Sequence, residues 1–430
     1  MSIAVDVTNS TSVLHCLARP VSIGEDGTWV GMRLGFAILV AAVGCSNRKD
    51  VQCNNDGNCD LAAGGVCVTA ASGNRWCAYP DQGCPSGYRF SDFDVGDGVS
   101  DACVDGSDGG VDGGTCSDQL IAFVRDDGLY VVHPDGSGVQ SLATGNQEAN
   151  PAWSPDGSRV AFVRGDAATN LDIWAVNRDG TGLTNLTQGV TQHDSDPVWS
   201  PDGLHIAFGS QRNDGVQYDL WVMEADGRNP VMIDVKARVA SWSPDGTRIA
   251  YASYKVNSRY QIYVANADGS NSVNISNSTY TDSDPEWSLD GTMLTFSGVR
   301  PTFPATYVMN ADGSNQQALA PSLQGSGNPT WSPDSKRIAF EGGVDNTQQD
   351  VYAVNADRTN LMNITAGTMT SDEYSPTWSP DGKQLAISTT RDSSNGKREI
   401  YRINDDGTGP LRLTTSSLYD DKTPAWSPCR

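Results

Sequence analysis

The chain has 430 residues, with 29 Lys and Arg against 52 Asp and Glu, giving a formal charge of −23. That length allows two or three domains with a sizeable core. The acidic balance argues against a nucleic-acid binder, which needs a basic surface to displace counterions from phosphates. Charged residues make up only 19%, while Gly (45) and Pro (21) are abundant, a mix that favours a turn-rich all-β protein. The histidines are His15, His133, His193 and His205, so a histidine base or a multi-histidine zinc site has few candidates.

No apolar run reaches the roughly 18 residues that a membrane-spanning helix needs. A shorter run at 34–43 (LGFAILVAAV) follows Arg33 and precedes Gly44-Cys45-Ser46. A basic residue, an apolar stretch and a small residue before a cysteine have the layout of an export signal. The ending Ala42-Val43-Gly44-Cys45 resembles a bacterial lipobox, with Ala42 where a leucine usually stands. The resemblance implies that Cys45 is lipidated and anchors the chain to a membrane, with Ser46 compatible with outer-membrane sorting. An ordinary cleaved signal with a free Cys45 is the alternative. Residues 1–31 are polar and carry Asp6, Glu25 and Asp26, so translation is expected to start at Met32.

Of ten cysteines, Cys16 precedes the signal and Cys45 would carry lipid. The remaining Cys53, Cys59, Cys67, Cys77, Cys84, Cys103, Cys116 and Cys429 are an even set, which in an exported chain reads as disulfides. Residues 45–103 form a cysteine-rich module with few aliphatic side chains, which needs covalent staples to hold a fold. Residues 104–116 (VDGSDGGVDGGTC) have almost nothing to bury and read as a flexible linker. The domain reading is therefore 1–44 as start and signal, 45–103, 104–116 and a third domain over 117–430.

That third domain repeats itself. Trp-Ser recurs at Trp153, Trp199, Trp242, Trp287, Trp331, Trp378 and Trp426, spaced 43 to 48 residues apart, and four copies read W-S-P-D-G in full. Such a period with short strands points to propeller blades. Each repeat carries four strand signals separated by turn chemistry. They are the Pro-x-Trp-Ser segment, an alternating stretch such as 249–253 (IAYAS), a third such as 219–222 (DLWV), and a fourth ending in Leu-Thr, as at Leu186-Thr187. The first Trp-Ser strand follows a three-strand set, and the last copy, at Trp426, has no blade after it. The carboxy-terminal strand must therefore complete the blade opened near residue 119, which leaves no free edge at the seam. The expectation is an all-β, seven-bladed propeller of four-stranded blades, with six or eight as alternatives, preceded by the small disulfide-rich module.

The consensus P-x-W-S-P-D-G-x-x-I-A-F, then D-I-Y-V-x-N-x-D-G, then L-T resembles the propeller repeats of TolB-type periplasmic proteins. The resemblance implies the propeller fold and a protein partner at the cell envelope. Seven blades and a cysteine-rich module depart from the six blades and different amino-terminal domain of TolB itself. The same repeat occurs in propellers attached to prolyl-peptidase-like hydrolases, but no Gly-x-Ser-x-Gly elbow occurs in this chain.

The recurrent tryptophans read as packing between blades. A second set is acidic and lies just before the Trp-Ser strand: Asp194 and Asp196, Asp282 and Asp284, Asp372 and Glu373, Asp420 and Asp421, with Glu148 a weaker match. If that strand is innermost, these carboxylates gather at one mouth of the central channel and favour calcium or a basic segment of a partner. The alternative is turn capping and solubility. The expected function is a non-catalytic, monomeric envelope lipoprotein whose propeller binds a protein or peptide. A glycan-binding module or polysaccharide-lyase-like enzyme on the same propeller is the alternative. Finally, aligning Ala122 with Ala161 and Trp426 with Trp153 places Cys116 and Cys429 at neighbouring positions of one turn. A disulfide closing the ring is expected there.

Overall fold

In a computed structural model, the chain divides into two compact units, Met1–Val111 and Asp112–Arg430. The structure describes residues 118–429 apart from a few short loop segments, and three strands of the first unit. Those three, Val66–Thr69, Arg75–Pro80 and Tyr88–Phe90, form one antiparallel sheet with Cys67 opposite Cys77. Cys45 and Cys116 lie outside the described residues.

The second unit consists of seven four-stranded antiparallel sheets. Numbering blades by their Trp-Ser strands, those strands are Asn146–Trp153, Asp194–Trp199, Ala237–Trp242, Thr281–Trp287, Gln324–Trp331, Glu373–Trp378 and Asp421–Trp426. Blade 7 closes the ring, since Asp421–Trp426 pairs antiparallel with Ile121–Arg125, with Trp426 opposite Ile121. The two ends of the propeller are tied further by Leu120 N–H donating to Ser427 Oγ (2.9 Å) and Ser427 N–H donating to Leu120 O (2.8 Å). Cys429 is disulfide-bonded, and Gln119 Nε2 donates to its Sγ at 3.4 Å.

Seven apolar clusters fill the seven blade-to-blade interfaces. Between blades 1 and 2, for example, Ile173 and Val163 meet Ile206, Phe208 and Met223. Side chains alternate across each strand, so one face of a blade packs on the preceding neighbour and the other on the next. The Trp-Ser tryptophans bridge these interfaces. Trp153, Trp199, Trp242, Trp331 and Trp378 each donate their indole N–H to a carbonyl of the preceding blade at 3.0–3.3 Å.

The W-S-P-D-G turn repeats atom for atom. In blade 1, Ser154 Oγ donates to Asp156 Oδ1 (2.6 Å) and accepts from Arg159 N–H (3.0 Å), while Gly157 takes φ +62°. In blade 5, Ser335 replaces that glycine yet holds φ +57°, and its Oγ accepts from Asp290 N–H of blade 4 (3.0 Å). The Leu-Thr segments do not extend the fourth strand. Five blades stop at two residues, as at Thr184–Asn185. Thr187 Oγ1 then substitutes for a ladder carbonyl by accepting from Ile173 N–H (3.1 Å), a bond repeated by Ser276, Thr365 and Thr414.

Candidate functional site: an acidic central channel

The Trp-Ser strands are innermost. Residues from all seven of them line one axial cavity of about 880 Å³. In each blade the residue three before the tryptophan has left-handed backbone: Asn150, Asp196, Val239, Asp284, Asn328, Ser375 and Thr423, with φ between 46° and 52°. Each occupies a break in strand register, such as that between Ser195 and Val198. A bulge adds one residue against the partner strand and re-aims a side chain. Left-handed backbone is costly for the β-branched Val239 and Thr423, so the closed ring over-determines the conformation. Six of these seven residues, all but Asp196, line the channel.

The acidic positions separate into three environments. Asp196 and Asp284 belong to the channel ring. Asp196 Oδ1 accepts from Asn150 Nδ2 of the neighbouring blade at 2.6 Å. Burial raises the Asp196 pKa; Arg238 opposes the shift and the negative charge of Asp284 adds to it. Asp194, Asp282 and Asp421, five residues before the tryptophan, are fully buried and paired with arginines. Arg125 grips Asp421 through two 2.7 Å bonds, Arg300 grips Asp282 at 2.6 and 3.0 Å, and Arg212 reaches Asp194 at 3.3 Å. Burial pushes the Asp194 and Asp421 pKa values up. Each arginine also stacks on aromatic rings of its own blade, as Arg300 does on Phe296 and Tyr307. Asp372 and Asp420 are half-buried turn caps: Asp372 Oδ1 accepts from Gln349 N–H (3.1 Å) and Asp420 Oδ1 from Arg398 N–H (2.7 Å).

Two further acids face this region. Glu286 lines the channel on blade 4, where its Oε1 accepts from Trp331 N–H (3.2 Å) and Thr330 Oγ1 (3.3 Å) of blade 5. Burial raises its pKa to about 7, with those two donors pulling the other way. Glu341 accepts from Ser375 N–H (2.6 Å) and Asn328 Nδ2 (2.8 Å), and burial raises it as well. Motif reading missed Glu286. Its signal was present, because the other six blades place Ala152, Val198, Ser241, Thr330, Thr377 and Ala425 at that position.

Among the described residues no group of three or more His, Cys, Asp or Glu side chains is placed to hold a metal ion. His133, His193 and His205 are all absent from the channel lining, and His193 Nδ1 accepts from Leu171 N–H (3.2 Å). The channel thus offers carboxylates, amides and hydroxyls, and among the described residues its lining includes no lysine, cysteine or histidine. It can bind, orient and neutralise positive charge.

The closed ring of four-stranded sheets defines a seven-bladed β-propeller. The TolB beta propeller domain matches residues 212–429. That stretch is half of the chain, and the protein belongs to this family. No curated protein matches it. Among solved structures, a puromycin-hydrolyzing peptidase of Mycobacterium tuberculosis is similar with a TM-score of 0.53 and 14% identity, covering 68% of this chain and 51% of that one. An oligogalacturonate lyase in complex with manganese is similar with a TM-score of 0.50 and 14% identity, over 69% and 85% of the two chains. TolB from Acinetobacter baumannii gives 0.49 and 17%, over 72% and 83%. At these identities the first two show a shared fold and no more.

Proposed function

We propose that this protein is a non-catalytic scaffold of the cell envelope whose propeller binds a protein or peptide partner. The observation that carries the reading is the character of the channel: a cavity bordered by the innermost strands of all seven blades, whose lining carries the carboxyl groups of Asp284 and Glu286 and can receive positive charge from a partner. The envelope assignment rests on the Arg33-to-Cys45 layout, and membership of the TolB propeller family supports it. Calcium is less well suited than an organic cation, because no three carboxylates converge on one point among the described residues.

Photo-crosslinking in intact cells tests the scaffold reading. A crosslinking residue at Leu204 or Leu289, both exposed on W-S-P-D-G-type turns, should trap the same partner in repeated experiments. Failure to trap any partner from either position would refute the reading. Release of unsaturated sugar products from oligogalacturonate by the purified chain would replace it with the lyase alternative.

A further inference from the structure

On the end of the ring opposite the W-S-P-D-G turns, three connections of blades 2 and 3 lie side by side: 211–218, 235–238 and 254–260. Main-chain bonds stitch them together, with Ala237 N–H donating to Tyr218 O (2.9 Å) and Tyr254 N–H to Lys236 O (3.1 Å). The Tyr254 hydroxyl also donates to Gln217 Oε1. The result is one surface holding three tyrosines and two cations. Tyr254 and Tyr260 meet edge to face, with ring centroids 4.9 Å apart. Lys236 Nζ lies 5.8 Å from the Tyr254 ring centre and Arg238 Cζ 5.5 Å from that of Tyr260. Tyr218 and Arg238 close over Gly209, where an added Cβ would sit 2.8 Å from Ser195 Oγ, 3.3 Å from Tyr218 Cδ1 and 3.5 Å from Arg238 Cβ. None of the three tyrosines or two cations lines the channel cavity.

The sister blades show that this surface is particular to blades 2 and 3. Where these carry Tyr218 and Tyr260, the others carry Leu171, Pro304, Gln349, Arg398 and Asp127. The positions matching Gly209 all bear a side chain: Val124, Val163, Ala252, Ser297, Glu341 and Ser388. The other cation at the position of Arg238 is Lys422, which pairs with Asp126 at 3.0 Å. Lys236 and Arg238 are exposed and make no ion pair with a described residue, in a chain of 52 acids and 29 bases. Asp196 and Asp214 act on them only at longer range. We propose that this surface binds an acidic sugar, a uronate unit of a polysaccharide. Arg238 receives the carboxylate in the paired geometry that a guanidinium offers, with Lys236 as a second positive charge. The tyrosines give apolar contact to the C–H face of the sugar ring and polar contact at its edge. Gln217 and Asp214 bond its hydroxyls. The mixture of signs selects this ligand. A polyphosphate or a run of acidic side chains is repelled by Asp196 and Asp214, whereas a uronate sets one carboxylate among several hydroxyls and uses both signs. The site goes beyond the scaffold reading and stands or falls apart from it.

The test is calorimetry on the full chain, with a chelator present, using a mannuronate hexamer, a neutral glucose hexamer and hexaglutamate as probes. The mannuronate hexamer should bind at least about tenfold more tightly than either of the others. Arg238→Gln should lose at least about tenfold in that affinity, the worth of one charge-assisted hydrogen bond, with an unchanged far-ultraviolet spectrum. Tyr260→Leu, which keeps both cations, should also weaken it. Arg228→Ala, which removes an exposed cation at the other end of the ring, should bind as the wild type does. Equal affinity for the two sugars would show that the cations take no part, and would overturn the site. Hexaglutamate binding as tightly as mannuronate would overturn it too, and would assign the surface to an acidic peptide. No binding of any probe, or an equal loss in Arg228→Ala and Arg238→Gln, would likewise refute it. A partner trapped by crosslinking equally well in Arg238→Gln and wild type would leave the scaffold reading untouched by any of these results.

Discussion

Glu286→Gln provides a quantitative test of the channel. The wild-type carboxyl sits near pKa 7 because burial penalises its charge, against an ordinary value of 4.5. Its native pKa therefore lies above its unfolded one. Between the two values the folded chain holds a proton that the unfolded chain has released. The associated stability is fully present below about 4.5 and is lost as pH rises through about 7. Each tenfold change in the dissociation constant of an acid corresponds to about 1.4 kcal/mol. Moving from about pH 5 to about pH 8 therefore costs the wild type roughly 2–3 kcal/mol through this group. Glutamine keeps the acceptor for Trp331 N–H and never ionises. Urea denaturation of both proteins across this range should show the variant gaining on the wild type as pH rises. Other raised acids, such as Glu373 at about 7, are common to both proteins and cancel in the difference. A gap independent of pH would show that Glu286 is solvated like a surface carboxylate, and the account of the channel would fall.

Arg300→Ala should lower stability by about 3–5 kcal/mol, because it strands the fully buried Asp282 without its counter-charge. Arg228→Ala, removing an exposed pair, should change it by less than about 1 kcal/mol in the same denaturation assay. Gly313→Ala places a Cβ 2.3 Å from Ile275 O at φ +84°. It should cost well over 1 kcal/mol in thermal melting, and more than Gly396→Ala, which has positive φ but open space. Cys45→Ala should abolish partition into detergent and remove acyl mass from the amino-terminal peptide; unchanged attachment would refute lipidation. Non-reducing peptide mapping should join the Cys116 and Cys429 peptides, whereas a Cys116 peptide linked into 53–103 would refute ring closure by that bond.

Much of the fold was legible because the repeat supplies the same evidence many times. The spacing of Trp153 through Trp426 set the blade count, and the unmatched strand at 421–426 required the seam pairing with 121–125. The fourth strand was less readable. A hydroxyl that replaces a ladder carbonyl, as Thr187 does, looks the same in sequence as a strand residue. The acid pattern was harder still. Asp194 and Asp196 are two residues apart, yet one is buried against Arg212 and the other enters the channel ring. The intervening bulge decides this, and the left-handed residue that forms it can be Asn, Asp, Val, Ser or Thr. No single residue type marks the position, so only its offset from the tryptophan identifies it. The arginine partners are equally hidden. Arg164, which pairs with Glu148 at 3.7 Å, and Arg125 lie nearer the start of their strand than Arg212 and Arg300 do, and the common site emerges only in three dimensions.

Departures from the repeat therefore carry more information about function than the repeat itself, provided each is first tested against the backbone. Ser335 and Arg358 replace turn glycines in blade 5, but both keep positive φ, at 57° and 70°. Those replacements preserve the turn and leave the channel unchanged. The changes at Val239, Ala240, Glu286 and Leu289 behave differently. Val239 and Asp284 retain the same bulge and the same φ, 52° in both, so the scaffold is unchanged while the lining differs. All four positions border one cavity and lie on two adjacent blades. Drift in seven equivalent blades would scatter such changes around the ring. Their confinement to one sector gives the channel a chemically distinct side, and a ligand that enters it must do so in a defined orientation.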